Sequence, residues 1–178
     1  RSDNTATDAL IKLLGRETVE PYAPGNKPFI TTREMFTLKA PGNSDALTRF
    51  RRGDEGARRS LLSELRNKPL PKVETYPKVP TALDVEWWFS ARELCDLMKR
   101  VHDLSLMGIN AGVAKRDAWS SIAYKGGSEP GVLNMTTWVE KDGHAHCVAA
   151  TWNAVQTLDE RAFTRAYSRI FTWLHGQP

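Results

Sequence analysis

Cysteine is scarce in this chain. Only Cys95 and Cys147 occur among 178 residues, too few and too far apart for a metal-ligand spacing or for the disulfide framework that staples small secreted domains. Cys95 lies near the apolar stripe of a helix and Cys147 alternates with core positions of a strand, so both are expected as buried thiols. Long apolar runs are lacking too: none approaches the roughly 18 residues that a membrane-spanning helix needs. Arg1 is followed by the polar Ser2-Asp3-Asn4-Thr5, and neither end carries a signal-peptide pattern. Charge of a single sign is also missing. The 25 Lys+Arg stand against 21 Asp+Glu, a net +4 with both signs mixed along the chain. The one basic cluster, Arg49-Phe50-Arg51-Arg52 with Arg58 and Arg59, has Asp54 and Glu55 inside it, unlike the one-sided field that binds nucleic acid. A content of 40% hydrophobic and 26% charged residues excludes disorder, collagen and coiled coil, and the length suits a single domain.

What is present reads as helices first and strands later. Residues 3 to 14 form a helix with Leu10, Leu13 and Leu14 on one face, capped by Asp3 or Ser2 and ended by Gly15. Thr31 to Lys39 is a second helix, capped by Thr31 or Thr32 and stopped by Pro41-Gly42. A charged helix follows at about 54 to 66. Prolines between Pro69 and Pro80 make the segment up to Asp84 a long loop. Ser90-Ala91-Arg92-Glu93 is a capping box, and Leu94, Leu97, Met98, Val101 and Leu104 carry its helix to the neighbourhood of Gly108. From Trp119 the period changes to two. Ser120 to Lys125, Val132 to Glu140 and His144 to Trp152 are strands, the last two joined at Lys141-Asp142-Gly143 by a tight antiparallel turn. A last helix, capped by Thr157-Leu158-Asp159-Glu160, bears Phe163, Ala166, Tyr167, Ile170, Phe171 and Leu174 on one stripe. The expected architecture is α+β: an antiparallel sheet with the C-terminal helix packed on one face and the helices of the first hundred residues behind it. Residues 1–118 would form the mainly helical part and 119–178 the strands with the last helix.

Few residues offer chemistry. Lys125-Gly126-Gly127-Ser128 places an ammonium beside two residues without side chains, so a ligand could lie against the strand and a backbone N–H could face an oxyanion. Taken alone, the segment reads first as a Gly-rich turn with a solvated lysine, and Ser2-Asp3-Asn4 as an ordinary N-cap. His144 and His146 alternate along a strand and share a face, but no third ligand stands at a telling spacing, so they read as surface histidines and no metal or cofactor is expected. Trp87-Trp88-Phe89 before a capping box reads as an aromatic staple rather than a ligand platform.

Together the two segments mean more. Ser-Asp-Asn at 2 to 4 before a helix, Lys-Gly-Gly-Ser at 125 to 128 in place of Lys-Thr-Gly, the continuation Glu129-Pro130-Gly131-Val132-Leu133, and the strand–hairpin–strand–helix ending resemble the C-terminal part of the serine β-lactamase and penicillin-binding-protein superfamily, in particular the class A β-lactamase-like serine hydrolases. The resemblance implies the β-lactamase/transpeptidase-like fold and acyl transfer on an amide, β-lactam or ester. Ser2 would relay a proton to the leaving nitrogen. Asn4 would hydrogen-bond substrate, with Gly127 leaving room for it. Lys125 would attract a substrate carboxylate and hold the relay serine, and the Ser128 N–H would form half of the oxyanion hole. Asp3 would be structural. The resemblance also implies export to the periplasm, the cell envelope or the medium.

The chain departs from the pattern in three places. No serine here is followed three residues later by lysine, so the Ser-x-x-Lys nucleophile is expected on an upstream segment of the same polypeptide. Gly126 stands where a hydroxyl residue is usual. The Pro-rich loop offers only Glu74 and Glu86 as bases for deacylation, neither in a matching motif. The expected partners are a small-molecule or peptide substrate and that upstream segment. The alternative is a non-catalytic domain of the same fold that binds cell-wall peptide.

Overall fold

The computed structural model describes residues 2–70 and 72–177, with Val73 described by its backbone alone. The chain divides into two compact units, Ser2–Trp88 and Phe89–Pro178.

The first unit is helical. α1 (Asn4–Leu14) begins where Asp3 accepts a hydrogen bond from the Ala6 N–H at 2.8 Å, and ends at Gly15, whose φ of 85° is open to glycine. A short helix, α2 (Arg16–Val19), and a 3₁₀ turn at Glu20–Tyr22 follow. α3 (Thr32–Lys39) is capped by Thr31, one of the two expected caps, and Glu34 reaches back to complete a capping box that was not expected. Asp8 of α1 adds a second cap, its carboxylate accepting from the Thr32 and Arg33 N–H groups at 2.8 and 2.7 Å. α4 (Ser44–Arg52) was not expected, whereas α5 (Glu55–Leu65), capped by Asp54, falls where the charged helix was placed. Met35 and Leu38 of α3, Ala46 and Phe50 of α4, and Leu61, Leu62 and Leu65 of α5 meet Ile30 and Val85 in one core.

Polar ties close this unit. Glu20, buried at 7% exposure, accepts from the Phe29 N–H at 3.0 Å and from Arg59 at 2.7 Å. Arg16 forks onto both oxygens of Glu34 at 3.1 and 2.7 Å. Asn26 exchanges two hydrogen bonds with the Trp88 backbone at 2.7 and 2.6 Å. The Pro-rich segment has one 3₁₀ turn, Val73–Thr75, and is pinned by the Tyr76 hydroxyl, which donates to the Phe36 carbonyl at 3.1 Å. On α1 the Leu10, Leu13 and Leu14 face is exposed, at 58%, 80% and 57%, and Ile11 is the buried residue.

The second unit is a layered α+β fold. α6 (Ala91–Val101) starts at the Ser90/Glu93 capping box. It stops well short of Gly108, because after His102 the Leu104 N–H turns back to the Val101 carbonyl at 3.1 Å, and a separate 3₁₀ turn occupies Ser105–Gly108. β1 (Ser121–Glu129), β2 (Val132–Lys141) and β3 (His144–Asn153) form an antiparallel sheet in the order β1-β2-β3. The β2–β3 turn places Asp142 and Gly143 at φ 52° and 81°, the paired left-handed geometry whose twist matches the strands. α7 (Glu160–His175) is capped by Asp159, whose side chain accepts from the Ala162 N–H.

Each face of the sheet has its own helix. Tyr124, Thr137 and Val148 lie side by side across the strands, and there the α7 residue Tyr167 donates its hydroxyl to the Val148 carbonyl at 2.8 Å and meets Thr137 Oγ1 at 3.0 Å. Tyr167 and Phe171 complete this core with Trp119, Ala114 and Val139. The opposite face carries Trp138 and Cys147 as cross-strand partners. There α6 is bonded to the sheet covalently: Cys95 and Cys147 form a disulfide, Cα to Cα 5.8 Å. This corrects the expectation of two buried thiols, because stacking α6 over β3 makes neighbours of residues 52 apart in sequence. The helix behind the sheet is thus α6, while the earlier helices pack within a unit of their own.

Candidate functional site

The chemistry-bearing segment lies on β1, an edge strand among the described residues. The strand does not stop at Lys125 but runs on to Glu129, so Lys125-Gly126-Gly127-Ser128 is extended backbone, not a turn. Lys125, Gly126, Gly127 and Ser128 stand opposite Thr136, Met135, Asn134 and Leu133. Strand alternation sets Lys125 and Gly127 on the α6 face and Tyr124, Gly126 and Ser128 on the α7 face.

Lys125, Gly127 and Ser128 are all exposed. The Lys125 ammonium donates to the Gly126 carbonyl. Desolvation by neighbouring protein nevertheless holds its pKa below the ordinary lysine value. Directly across the ladder, Thr136 is 3% exposed, and its hydroxyl has no hydrogen-bond partner among the described residues. In an antiparallel edge strand, backbone N–H and C=O groups turn outward at every second residue.

The two glycines differ. A Cβ at Gly127 would meet nothing within 4 Å, so neither packing nor φ demands glycine there and the space beside Lys125 is open. A Cβ at Gly126 would lie 2.1 Å from the Tyr124 hydroxyl oxygen, and one at Gly112, where φ is +59°, would lie 2.6 Å from the other side of the same ring. Gly126 is therefore glycine because the Tyr124 phenol occupies its side-chain space. Tyr124 was missed in the sequence. The available signal was an aromatic two residues before a strand glycine, the spacing at which a ring folds over the gap on its own face.

Ser2 and Asn4 belong to the other unit, at the start of α1. Both are exposed, and Asp3 between them is a structural cap, as expected. Of the loop glutamates, Glu86 is held in an ion pair by Lys39. A cavity of about 110 Å³ in this unit, between Asn26, Arg58, Asp84 and Glu86, is small for a ligand pocket, and Asn26, Asp84 and Glu86 are already bonded to Trp88, Arg51 and Lys39. His146 faces the α7 side of β3 opposite Val139. Among the described residues no group of three or more His, Cys, Asp or Glu is arranged to hold a metal ion, and no helix is long and apolar enough to cross a membrane. No protein-family model and no curated protein matches the chain.

Proposed function

We propose that this chain is part of a serine hydrolase resembling the class A β-lactamase-like enzymes, acting by acyl transfer on an amide, β-lactam or ester. The observation that carries the reading is the edge of β1: one ammonium, one open glycine and one exposed serine along a strand with no second strand partner among the described residues. A substrate laid along such an edge meets a cation for its carboxylate at Lys125 and a fixed backbone donor for a developing oxyanion at Ser128. Gly127 leaves the approach clear. The nucleophile is a serine outside these 178 residues. Its oxygen attacks the carbonyl carbon, the bond to the leaving nitrogen or oxygen breaks, and the proton of the attacking hydroxyl passes to the leaving atom. Water then releases the acid. The Cys95–Cys147 disulfide supports placement in an oxidising compartment outside the cytoplasm.

Incubation of the complete polypeptide with a fluorescent penicillin and, separately, a fluorophosphonate should give covalent labelling, and Lys125→Ala should abolish labelling by the penicillin while leaving the melting temperature unchanged. No label from either reagent sinks the catalytic reading and favours a peptide-binding domain of the same shape. Full penicillin labelling of Lys125→Ala makes the lysine an ordinary solvated side chain.

A further inference from the structure

The apolar stripe of α7 is wider than the sheet covers. Tyr167 and Phe171 are buried in the core of this unit, yet Ala166 and Ile170 of the same stripe remain exposed, Ile170 at 38%, and Trp173 adds an indole that is 62% exposed. Spaced by four and three, residues 166, 170 and 173 line one side of the helix. Beside them runs a second row. Arg161, Arg165 and Arg169 recur at every fourth residue and are all exposed. Among the described residues, none of the three guanidinium groups has a hydrogen-bond or ion-pair partner. The helix holds one acidic residue, Glu160, at its first position, so no carboxylate of α7 balances the later turns.

Either row alone is ordinary on a protein surface. Together they are complementary to a surface that is anionic on the outside and apolar just beneath. A nucleic-acid strand would pair with the arginines but offers nothing to the aliphatic Ile170. In a bilayer with anionic lipids, headgroup phosphates adjoin the acyl boundary, and a helix lying in that plane meets both at once. Guanidinium groups take phosphate oxygens through parallel N–H donors. Tryptophan concentrates at the same depth, where its ring is in apolar surroundings and its N–H stays wet. We propose that the outer face of α7 is a peripheral membrane-docking surface: Arg161, Arg165 and Arg169 bind the headgroups of anionic phospholipids while Ile170 and Trp173 enter the interface beside them. The inner side of α7 is fixed to the sheet by Tyr167, so the face is presented already folded and docking has no helix to order. The proposal stands apart from the hydrolase reading.

The test uses the complete polypeptide with extruded vesicles, either phosphatidylcholine alone or equal parts phosphatidylcholine and phosphatidylglycerol. The mixed vesicles should sediment the protein, the neutral ones should not, and high salt should release it. Arg165→Gln with Arg169→Gln should weaken partition about 25-fold, about fivefold for each arginine at the surface, with the melting temperature unchanged. Arg165→Lys with Arg169→Lys keeps both charges and should retain most of the binding. Arg52→Gln, which removes an exposed arginine of the other unit, should bind as wild type does. Brominated acyl chains should quench tryptophan emission, and Trp173→Phe should remove that quenching. Failure to sediment with the mixed vesicles overturns the proposal, as does undiminished binding of the double glutamine variant. Quenching that persists in Trp173→Phe puts another face on the bilayer and overturns it too. If a single-stranded oligonucleotide binds wild type but not the glutamine variant, and the vesicles bind neither, the arginine row serves a different polyanion and the membrane assignment falls. Penicillin labelling decides the hydrolase reading separately, whichever way the vesicles answer.

Discussion

Reduction of the Cys95–Cys147 disulfide is the most direct perturbation of the second unit. The bridge ties α6 to β3 across a sequence separation of 52 residues. Cross-linking a loop of that length removes chain entropy from the unfolded state worth about 4 kcal/mol at 25 °C in the loop-closure treatment. Beside the bridge, the His102 ring just after α6 lies 4.6 Å from that of Trp138, and its Nε2 is 3.5 Å from Glu140. At about 4–8 °C of melting temperature per kcal/mol for a unit of this size, reduction should lower the transition by roughly 15–30 °C. The assay is thermal unfolding followed by circular dichroism with and without a phosphine reductant, with Cys95→Ala/Cys147→Ala as the chemical equivalent. Hydrogen exchange should locate the loss, with α6 amides exchanging faster than those of the β1–β2 ladder. A shift under about 5 °C, or two titratable thiols in native protein from an oxidising compartment, would refute the reasoning.

Two further outcomes follow from polar groups in the cores. Tyr167→Phe should cost about 1–3 kcal/mol, because the Val148 carbonyl and Thr137 lose their partner in a site 2% exposed; a urea midpoint equal to wild type would count against it. For Glu20, burial opposes the charge, but Arg59 and the Phe29 N–H outweigh it and hold the carboxyl below its ordinary value of 4.5. A depressed folded pKa adds stability that is complete above the unfolded value and is lost as pH falls through the folded one. The stability gap between wild type and Glu20→Gln should therefore narrow from about pH 6 to about pH 3, and a gap constant across that range would show that Glu20 remains neutral.

Local signals located most elements. The cap at Thr31, the capping box at Ser90, the stop at Gly15, and the Asp142-Gly143 turn are each decided within a few residues, and the structure has all of them. α4 went unseen because its Arg-rich end reads as a charge cluster, and the apolar positions Ala46 and Phe50 that bury it are sparse. α6 was drawn too long because Leu104 keeps the apolar period after the backbone has already turned. The disulfide pairing depends on which helix lies over which strand, and one sequence does not contain that. At the candidate site Lys125, Gly127 and Ser128 were visible as residue types with unusual neighbours. Tyr124 was not, since its importance comes from where its ring comes to rest.

The arrangement of Tyr124 between Gly112 and Gly126 also constrains the order in which substitutions can accumulate. A threonine or serine introduced at 126 collides with the phenol, and the flanking backbone at Gly112 denies the ring a retreat. A chain carrying this tyrosine can accept a hydroxyl residue at 126 only after residue 124 has shrunk. Changes at the two positions are thus ordered, with the ring going first.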